Sequence, residues 1–348
     1  IGDPDQAIYA FRGADVGFFL RFAQDFPTAK SVALTRNYRS SAVIVASAVA
    51  AITPTTLVPD RALHAMRDAP AAERIAIHAA ADEEAEATFT VRAIEELLGG
   101  SSFHSRDSGL VDSHGFAGGL SFDDIAVLYR TDAQARPIMA ALSRAGLPFQ
   151  KRSHNRLAKH VGVRAIVAEL PESADRVALP LLLRGAAGLV DDELDPATVA
   201  EALELLLPLA STPGMDLAAF RAELSLGAEV DTWDPRANRI SLLTLHAAKG
   251  LEFPVVFIVG CAEGLLPFRW PGDDDENAEA EERRLFFVGV SRAQSHLYLS
   301  HSRKRTRNGT STDTRPSPFL SVFTAELAER TEDTAQARSA RSQQLRLL

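Results

Sequence analysis

Cysteine is almost missing from this 348-residue chain, and the single Cys261 excludes an internal disulfide and a cysteine-based zinc site. Placed directly after an apolar, strand-like run, it reads as a small core residue rather than a nucleophile. Such usage fits a reducing compartment, so a cytoplasmic location is expected. No apolar run approaches the roughly 20 residues of a membrane span, and no signal-peptide pattern opens the chain. The pattern G-x-x-x-x-G-K-[ST] occurs nowhere, so a phosphate loop of that kind is lacking. An initiator methionine is lacking too: the chain opens Ile1-Gly2-Asp3 and reads as a fragment cut inside a domain. His104 and His114, in a loop rich in Gly, Ser and His, have neither a cysteine nor a closely spaced histidine beside them, and no metal site is expected.

What is present is the composition of a soluble globular chain, 46% hydrophobic and 24% charged, long enough for about two domains. The formal net charge of −9 speaks mildly against nucleic acid, because phosphate binding depends on Lys and Arg. An acidic whole can still carry a local positive groove, and Asp273 to Glu282 gathers many of the acids into one run.

The organising stretch is ISLLTLHAAKGLEFPVVFIVG, Ile240 to Gly260. Leu242 to Leu245 and Val255 to Val259 are apolar and of strand length, and His246 to Phe253 between them is polar and contains a glycine. Buried strands gain nothing from such residues, which belong at a sheet rim where ligands of open α/β folds sit; a plain polar loop is the bland alternative. In EERRLFFVGVSRAQSHLYLSH, Glu281 to His301, the first half suits a helix and Leu297 to Ser300 a strand. Arg292 stands where the apolar helical face of Leu285 and Val288 runs out. Its donors need an anion or a carbonyl, either a structural salt bridge or a ligand, and its guanidinium is expected to project past the sheet toward a cleft.

TLHAAKGLEF and EERRLFFVGVSRA together resemble the fifth and sixth motifs of the superfamily-one DNA helicases of the UvrD, Rep and PcrA type. GDPDQAIYAFRGAD, at Gly2 to Asp15, resembles the third motif and LTRNYRSS, at Leu34 to Ser41, the fourth. The resemblance runs to about Leu327. It implies ATP and Mg²⁺ as cofactors, with the metal ligands upstream of Ile1. On this side of the nucleotide it implies Gln6 as γ-phosphate sensor, Tyr38 on the adenine, Arg39 and Arg292 at the γ-phosphate, Glu252 on the sugar, and Gly250 in the same loop. Single-stranded DNA would meet Phe11 and Arg12 under the bases and Thr244 and His246 on the backbone. Many relatives carry Trp or Tyr where this chain has Phe11.

Around the motifs, Val16, Phe19, Leu20 and Ala23 form the expected buried face of a helix capped near Asp15, and a serine-capped helix follows Ser41. Arg74 to His78 and Ile125 to Tyr129 are strand-like, and Asp82 to Leu98 is an amphipathic helix. Pro137 must lie in the first turn of the next helix or kink it. Lys151 to Asn238 suggests short helices broken by Pro180, Pro208 and Pro213. In the resembled family a larger helical subdomain is inserted here. Arg303, Lys304, Arg305 and Arg307 form a basic cluster, either solvated surface or a phosphate-backbone contact, before a short helix near Phe319 to Leu327 and a polar tail from Ala328.

The fold expected is α/β, a RecA-like parallel sheet with helices on both faces and a reduced helical insert, lacking most of the first RecA-like domain. Residues 1–39 would end that first domain, 40–150 and 239–327 would form the second, 151–238 the insert and 328–348 the tail. The expected function is the C-terminal part of an ATP-dependent 3′→5′ single-strand DNA translocase or helicase. Its partners would be single-stranded DNA and the upstream RecA-like domain, with no membrane involved. Two rivals stay open: the motor portion of a larger helicase-nuclease or other fusion, and a non-enzymatic nucleic-acid-binding remnant.

Overall fold

The computed structural model describes residues 2–8, 16–67, 72–99, 119–152, 160–171, 178–191, 194–211, 216–218, 220–221, 234, 236–268, 276–307 and 310–333. In chain order, the elements up to the middle of the chain are α1 (Gly17–Asp25), β1 (Arg36–Asn37), α2 (Ala42–Ile52), β2 (His64–Ala65), β3 (Ile75–Ala80), α3 (Glu83–Leu97), β4 (Ile125–Tyr129), α4 (Ala135–Arg144) and β5 (Phe149–Arg152). Then come α5 (Val161–Ala168), α6 (Leu179–Ala187), α7 (Pro196–Ala210), β6 (Ile240–Thr244), β7 (Phe253–Ile258), α8 (Glu276–Val290), β8 (Ala293–Ser302), β9 (Lys304–Arg307), β10 (Thr310–Asp313) and β11 (Ala328–Glu332). They divide into two compact units, residues 1–149 with 238–348, and residues 150–237.

The first unit is built on a seven-stranded sheet of order β11-β3-β8-β7-β4-β6-β5. From β11 to β6 every neighbouring pair is parallel. Every residue of β4 is buried, as a strand covered on both faces must be. Its Ile125, Val127 and Tyr129 join one cluster with Val91 and Ile94 of α3 and Ile138 and Leu142 of α4. On the opposite face α8 lies so close that a Cβ at Gly289 would sit 2.4 Å from Leu245 Cδ2 and 3.2 Å from Ile258 Cδ1. Beneath α8, Phe286 packs on Phe319 and Phe323 with ring centroids 5.6 and 6.2 Å apart. This is the α/β architecture the sequence leads one to expect, consistent with a RecA-like fold. β9 and β10 form an antiparallel hairpin carrying the basic cluster, in which Arg305 is paired with Glu83 and Glu86 and Arg303 with Glu332.

The second unit packs α5, α6 and α7 around Val163, Ile166, Leu183, Ala202, Leu206 and Phe220. Gly162 lets α5 and α7 touch, since a Cβ there would stand 2.6 Å from Thr198 O.

Four expectations are corrected. None of α1 is buried, and Phe18, Phe19, Leu20 and Phe22 remain 48–68% exposed, with only the Gly2 backbone set close against the Phe19 ring among the described contacts. The tail is not all tail: Ala328–Glu332 is an edge strand paired with β3, held by backbone bonds and by Arg330, whose guanidinium donates to Leu320 O and Phe323 O. An edge strand needs only one buried side chain, here Ala328, so its sequence lacks apolar alternation. The helix expected near Phe319 to Leu327 is a 3₁₀ turn, Pro318–Val322. Pro208 does not break α7, which runs to Ala210, and Pro180 sits in the first turn of α6, where its missing N–H would have no helical partner anyway. Pro213 and Asp15 lie outside the described residues. Among the described residues, no helix is long and apolar enough to cross a membrane.

Candidate functional site

Three segments meet where β7 and β8 begin: the turn after β1, the residues before β7, and the junction of α8 with β8. Ser41 N donates to Gln294 O at 2.8 Å, Ser40 Oγ to Ala293 O at 2.7 Å, and Phe253 N to Arg292 O at 3.0 Å. Asn37 shapes the turn, its side-chain oxygen accepting from the backbone N–H of Arg39 and of Ser40, both at 2.9 Å. Ser41 occupies the N-cap of α2, yet its side chain makes no capping bond, which corrects the expected serine cap. Arg67, which sequence reasoning missed, ties the turn to β8 by donating to Arg39 O and Gln294 Oε1, both at 2.9 Å. No local pattern marks it.

Arg39, Glu252 and Arg292 stand on this frame. Arg39 Nε donates to Glu252, whose other oxygen accepts from Gln294 Nε2 at 3.1 Å, and both partners remain partly exposed. Tyr38, beside them, is 67% exposed. Arg292 is only 3% exposed. Its Nε donates to Val288 O at 2.9 Å, Nη1 to Leu251 O at 3.0 Å and Nη2 to Ser291 Oγ at 2.9 Å. The expected projecting guanidinium is therefore corrected: it folds back, because a helix end leaves carbonyls unpaired and a five-donor fork can satisfy them.

Charge at this spot is unbalanced. Burial pushes Arg292 down to about 10, the like charge of Arg39 acts in the same direction, and Glu252 opposes both. Lys249 is lowered as well, by burial and then by Arg292. Among the described residues, Arg39 and Arg292 thus share the Glu252 carboxylate, with Lys249 beside Arg292, and such a cluster suits an anionic ligand.

Thr244 and His246 are not brought to that cluster. β6 and β7 run parallel on either side of β4, so the chain from Leu245 to Glu252 crosses a face of the sheet from the C-terminal edge to the N-terminal edge. The two ends are separated by about one strand length, roughly 17–20 Å. Thr244 Oγ accepts from Ala247 N at 3.1 Å and starts the crossover turn, so part of its role is local. Gly250 has φ +88° with open space where a Cβ would be, so its backbone conformation alone accounts for the glycine.

Gln6 ends a 3₁₀ turn, Pro4–Gln6. Its Nε2 donates to Asp3 Oδ2 at 3.1 Å, and its carbonyl accepts from Lys249 Nζ at 2.9 Å, which joins it to the crossover. Phe11 and Arg12 lie outside the described residues, as do His104 and His114. Among the described residues, no group of three or more His, Cys, Asp or Glu is placed to hold a metal ion.

Comparison with known proteins matches residues 32–176 and 200–304 to the UvrD-like helicase C-terminal domain, and residues 1–27 to the UvrD/REP helicase N-terminal domain. The chain is 31% identical to the ATP-dependent DNA helicase UvrD2 of Mycobacterium tuberculosis, over 92% of this chain and 45% of that protein. It is 26% identical to the ATP-dependent DNA helicase PcrA of Staphylococcus aureus, over 94% of this chain and 54% of that one. The chain therefore spans about half the length of the curated relatives it matches. A solved C-terminal domain of a possible DNA helicase from Lactobacillus plantarum matches 84% of this chain and 98% of its own at 12% identity, with a TM-score of 0.36. With the two blocks of the C-terminal model covering every strand of the sheet except β11, and all three segments that meet at the charge cluster, the chain belongs to the UvrD-like helicase C-terminal domain family.

Proposed function

We propose that this chain is the C-terminal motor part of an ATP-dependent helicase that moves 3′→5′ along single-stranded DNA, in the cytoplasm, with ATP seated between it and a preceding first RecA-like domain. The observation that carries the reading is the meeting of Arg39 and Arg292 at Glu252, whose carboxylate opposes both cations among the described residues. The donor set fits a nucleoside triphosphate: exposed Tyr38 offers a ring for the base, Glu252 an acceptor for sugar hydroxyls, and the guanidiniums a match for phosphate oxygens. When bound with Mg²⁺, ATP supplies the phosphoryl group whose transfer to water releases the driving energy.

The protein's own part is charge placement. Arg39 exchanges Glu252 for a phosphate oxygen, and Arg292 turns from its carbonyls toward the charge that develops on the transferred group. Because the crossover from Thr244 to Glu252 ties one edge of the sheet to the other, a shift at the nucleotide is passed to Thr244 and His246, the residues proposed to hold the DNA backbone. Phe11 and Arg12 complete the strand contact, and Gly250 lets the crossover turn. In this proposal residues 1–39 close the first RecA-like domain, residues 40–150 and 239–327 make the second together with the edge strand β11, and 151–238 are a shortened insert. Exposed α1 supports that division, since an apolar helix needs a partner, here the first RecA-like domain. The metal ligands and the phosphate loop belong to that domain, so the 348-residue chain alone is proposed not to hydrolyse ATP.

The test is titration of a fluorescent ATP analogue into the full-length protein and its Tyr38→Ala and Arg39→Ala variants. Loss of affinity of about tenfold or more in each is expected for a lost stack or charged hydrogen bond. Unchanged affinity in both variants removes the nucleotide from this cluster.

A further inference from the structure

Asp3 Oδ2 accepts from two donors at once, Gln6 Nε2 and Arg61 Nη1, each at 3.1 Å. Arg61 Nη2 reaches both Asp3 Oδ1 and Asp5 Oδ2, the latter at 2.8 Å. Asp5 is fully buried and also accepts from Leu57 N at 2.7 Å and from the Thr56 hydroxyl. Burial pulls the Arg61 pKa down, and the Asp3 and Asp5 carboxylates outweigh it, so the guanidinium stays charged. Its carbon lies 5.4 Å from the centre of the Phe287 ring, which limits its freedom on one side. A carboxylate only accepts, so the amide nitrogen of Gln6 must face Asp3 and its oxygen must turn away.

We propose that Arg61 is the positioning residue for Gln6: through Asp3 it fixes the orientation of the Gln6 carboxamide, and through Asp5 it fixes the 3₁₀ turn that carries it. The inference rests on the function proposed above and on the γ-phosphate role that the family resemblance implies for Gln6. Arg61 lies 58 residues from Asp3 in the chain, between α2 and β2. It therefore makes the phosphate sensor answer to the second RecA-like domain, while Lys249 holds the Gln6 carbonyl from the crossover. Lysine at position 61 keeps the charge but cannot span two carboxylates with a planar fork.

The experiment is a double-mutant cycle in the full-length protein, with Gln6→Ala, Arg61→Lys and the double variant compared in DNA-stimulated ATP turnover. Arg61→Lys is expected to lower kcat about 10–100-fold, as a displaced group does, with KM for ATP changed by less than about twofold. The double variant is expected to be no slower than Gln6→Ala alone. Asp3→Asn, which keeps the shape and one acceptor, should fall between wild type and Arg61→Lys. In the 348-residue chain, Arg61→Lys should speed hydrogen exchange at the Gln6 and Ala7 amides and leave β4 and β7 protected. Additive losses, or equal rises in exchange across the sheet, overturn the role of Arg61 while leaving the function proposed for the chain standing. Normal turnover of Gln6→Ala overturns both.

Discussion

Arg39 rests its guanidinium on the Glu252 carboxylate across 213 residues of chain, and so closes the turn after β1 onto the residues that precede β7. Both side chains are more than a third exposed, so solvent screens the pair and it adds little to stability. Glu252→Gln in the 348-residue chain should therefore shift unfolding in urea by less than about 1 kcal/mol. A loss of several kcal/mol would make the pair a structural clamp rather than a place held for a ligand.

Arg292 is the opposite case. Its three bonds to Val288 O, Leu251 O and Ser291 Oγ bind a helix end to the residues before β7, and removing the side chain withdraws all three donors, leaving Val288 O with the Ser291 hydroxyl. Arg292→Ala should cost about 2–4 kcal/mol of folding stability. Lysine can replace one of the bonds and should cost less. Urea titration of both variants checks the order, and an alanine variant as stable as wild type contradicts the buried geometry.

Acid should weaken the fold through its buried and half-buried histidines. Burial lowers His78, His296 and His301 below the usual value, partly offset at His78 by Asp333 and at His301 by Glu86. A histidine lowered in the folded state takes up its proton first in the unfolded chain. Its stabilising contribution is whole above about 6.5 and is lost as pH drops from there through the folded-state value. Melting temperature should fall between pH 7 and pH 5, and His296→Gln, at the site lowered by burial alone, should fall less steeply. An equal slope in both proteins removes His296 from the effect.

The exposed helix α1 makes a further prediction. Phe22→Asp should leave the stability of the 348-residue chain within about 0.5 kcal/mol of wild type, since surface changes cost little. It should also reduce self-association in sedimentation. Were Phe22 packed as a core phenylalanine, the change would cost about 3–5 kcal/mol or more.

Strands flanked by polar turns were legible in the sequence, because burial on both faces demands unbroken apolar runs such as Ile125–Tyr129, which falls within its predicted limits. Edge strand β11 was not, since one buried Ala328 leaves no pattern. The amphipathic period of α1 marks a helix but not its burial: periodicity reports a face that wants a partner, not whether one covers it among the described residues. At the site, Tyr38, Arg39, Glu252 and Arg292 could be named from their motifs. Arg61, Arg67 and Gln294 could not, because an ordinary surface arginine and a buried bridging one look alike until the fold brings their partners to them.

Most directly, the central claim is tested by ATP turnover of the full-length protein with and without single-stranded DNA, for wild type and Arg292→Lys under conditions where both are folded. Stimulation by DNA in the wild type is expected, with a loss of about 10³-fold or more in the lysine variant, the effect of removing an arginine from a phosphoryl-transfer site. Single-strand affinity should stay near normal in the variant. Turnover in Arg292→Lys that matches the folded wild type, or a wild type indifferent to DNA, contradicts the proposal.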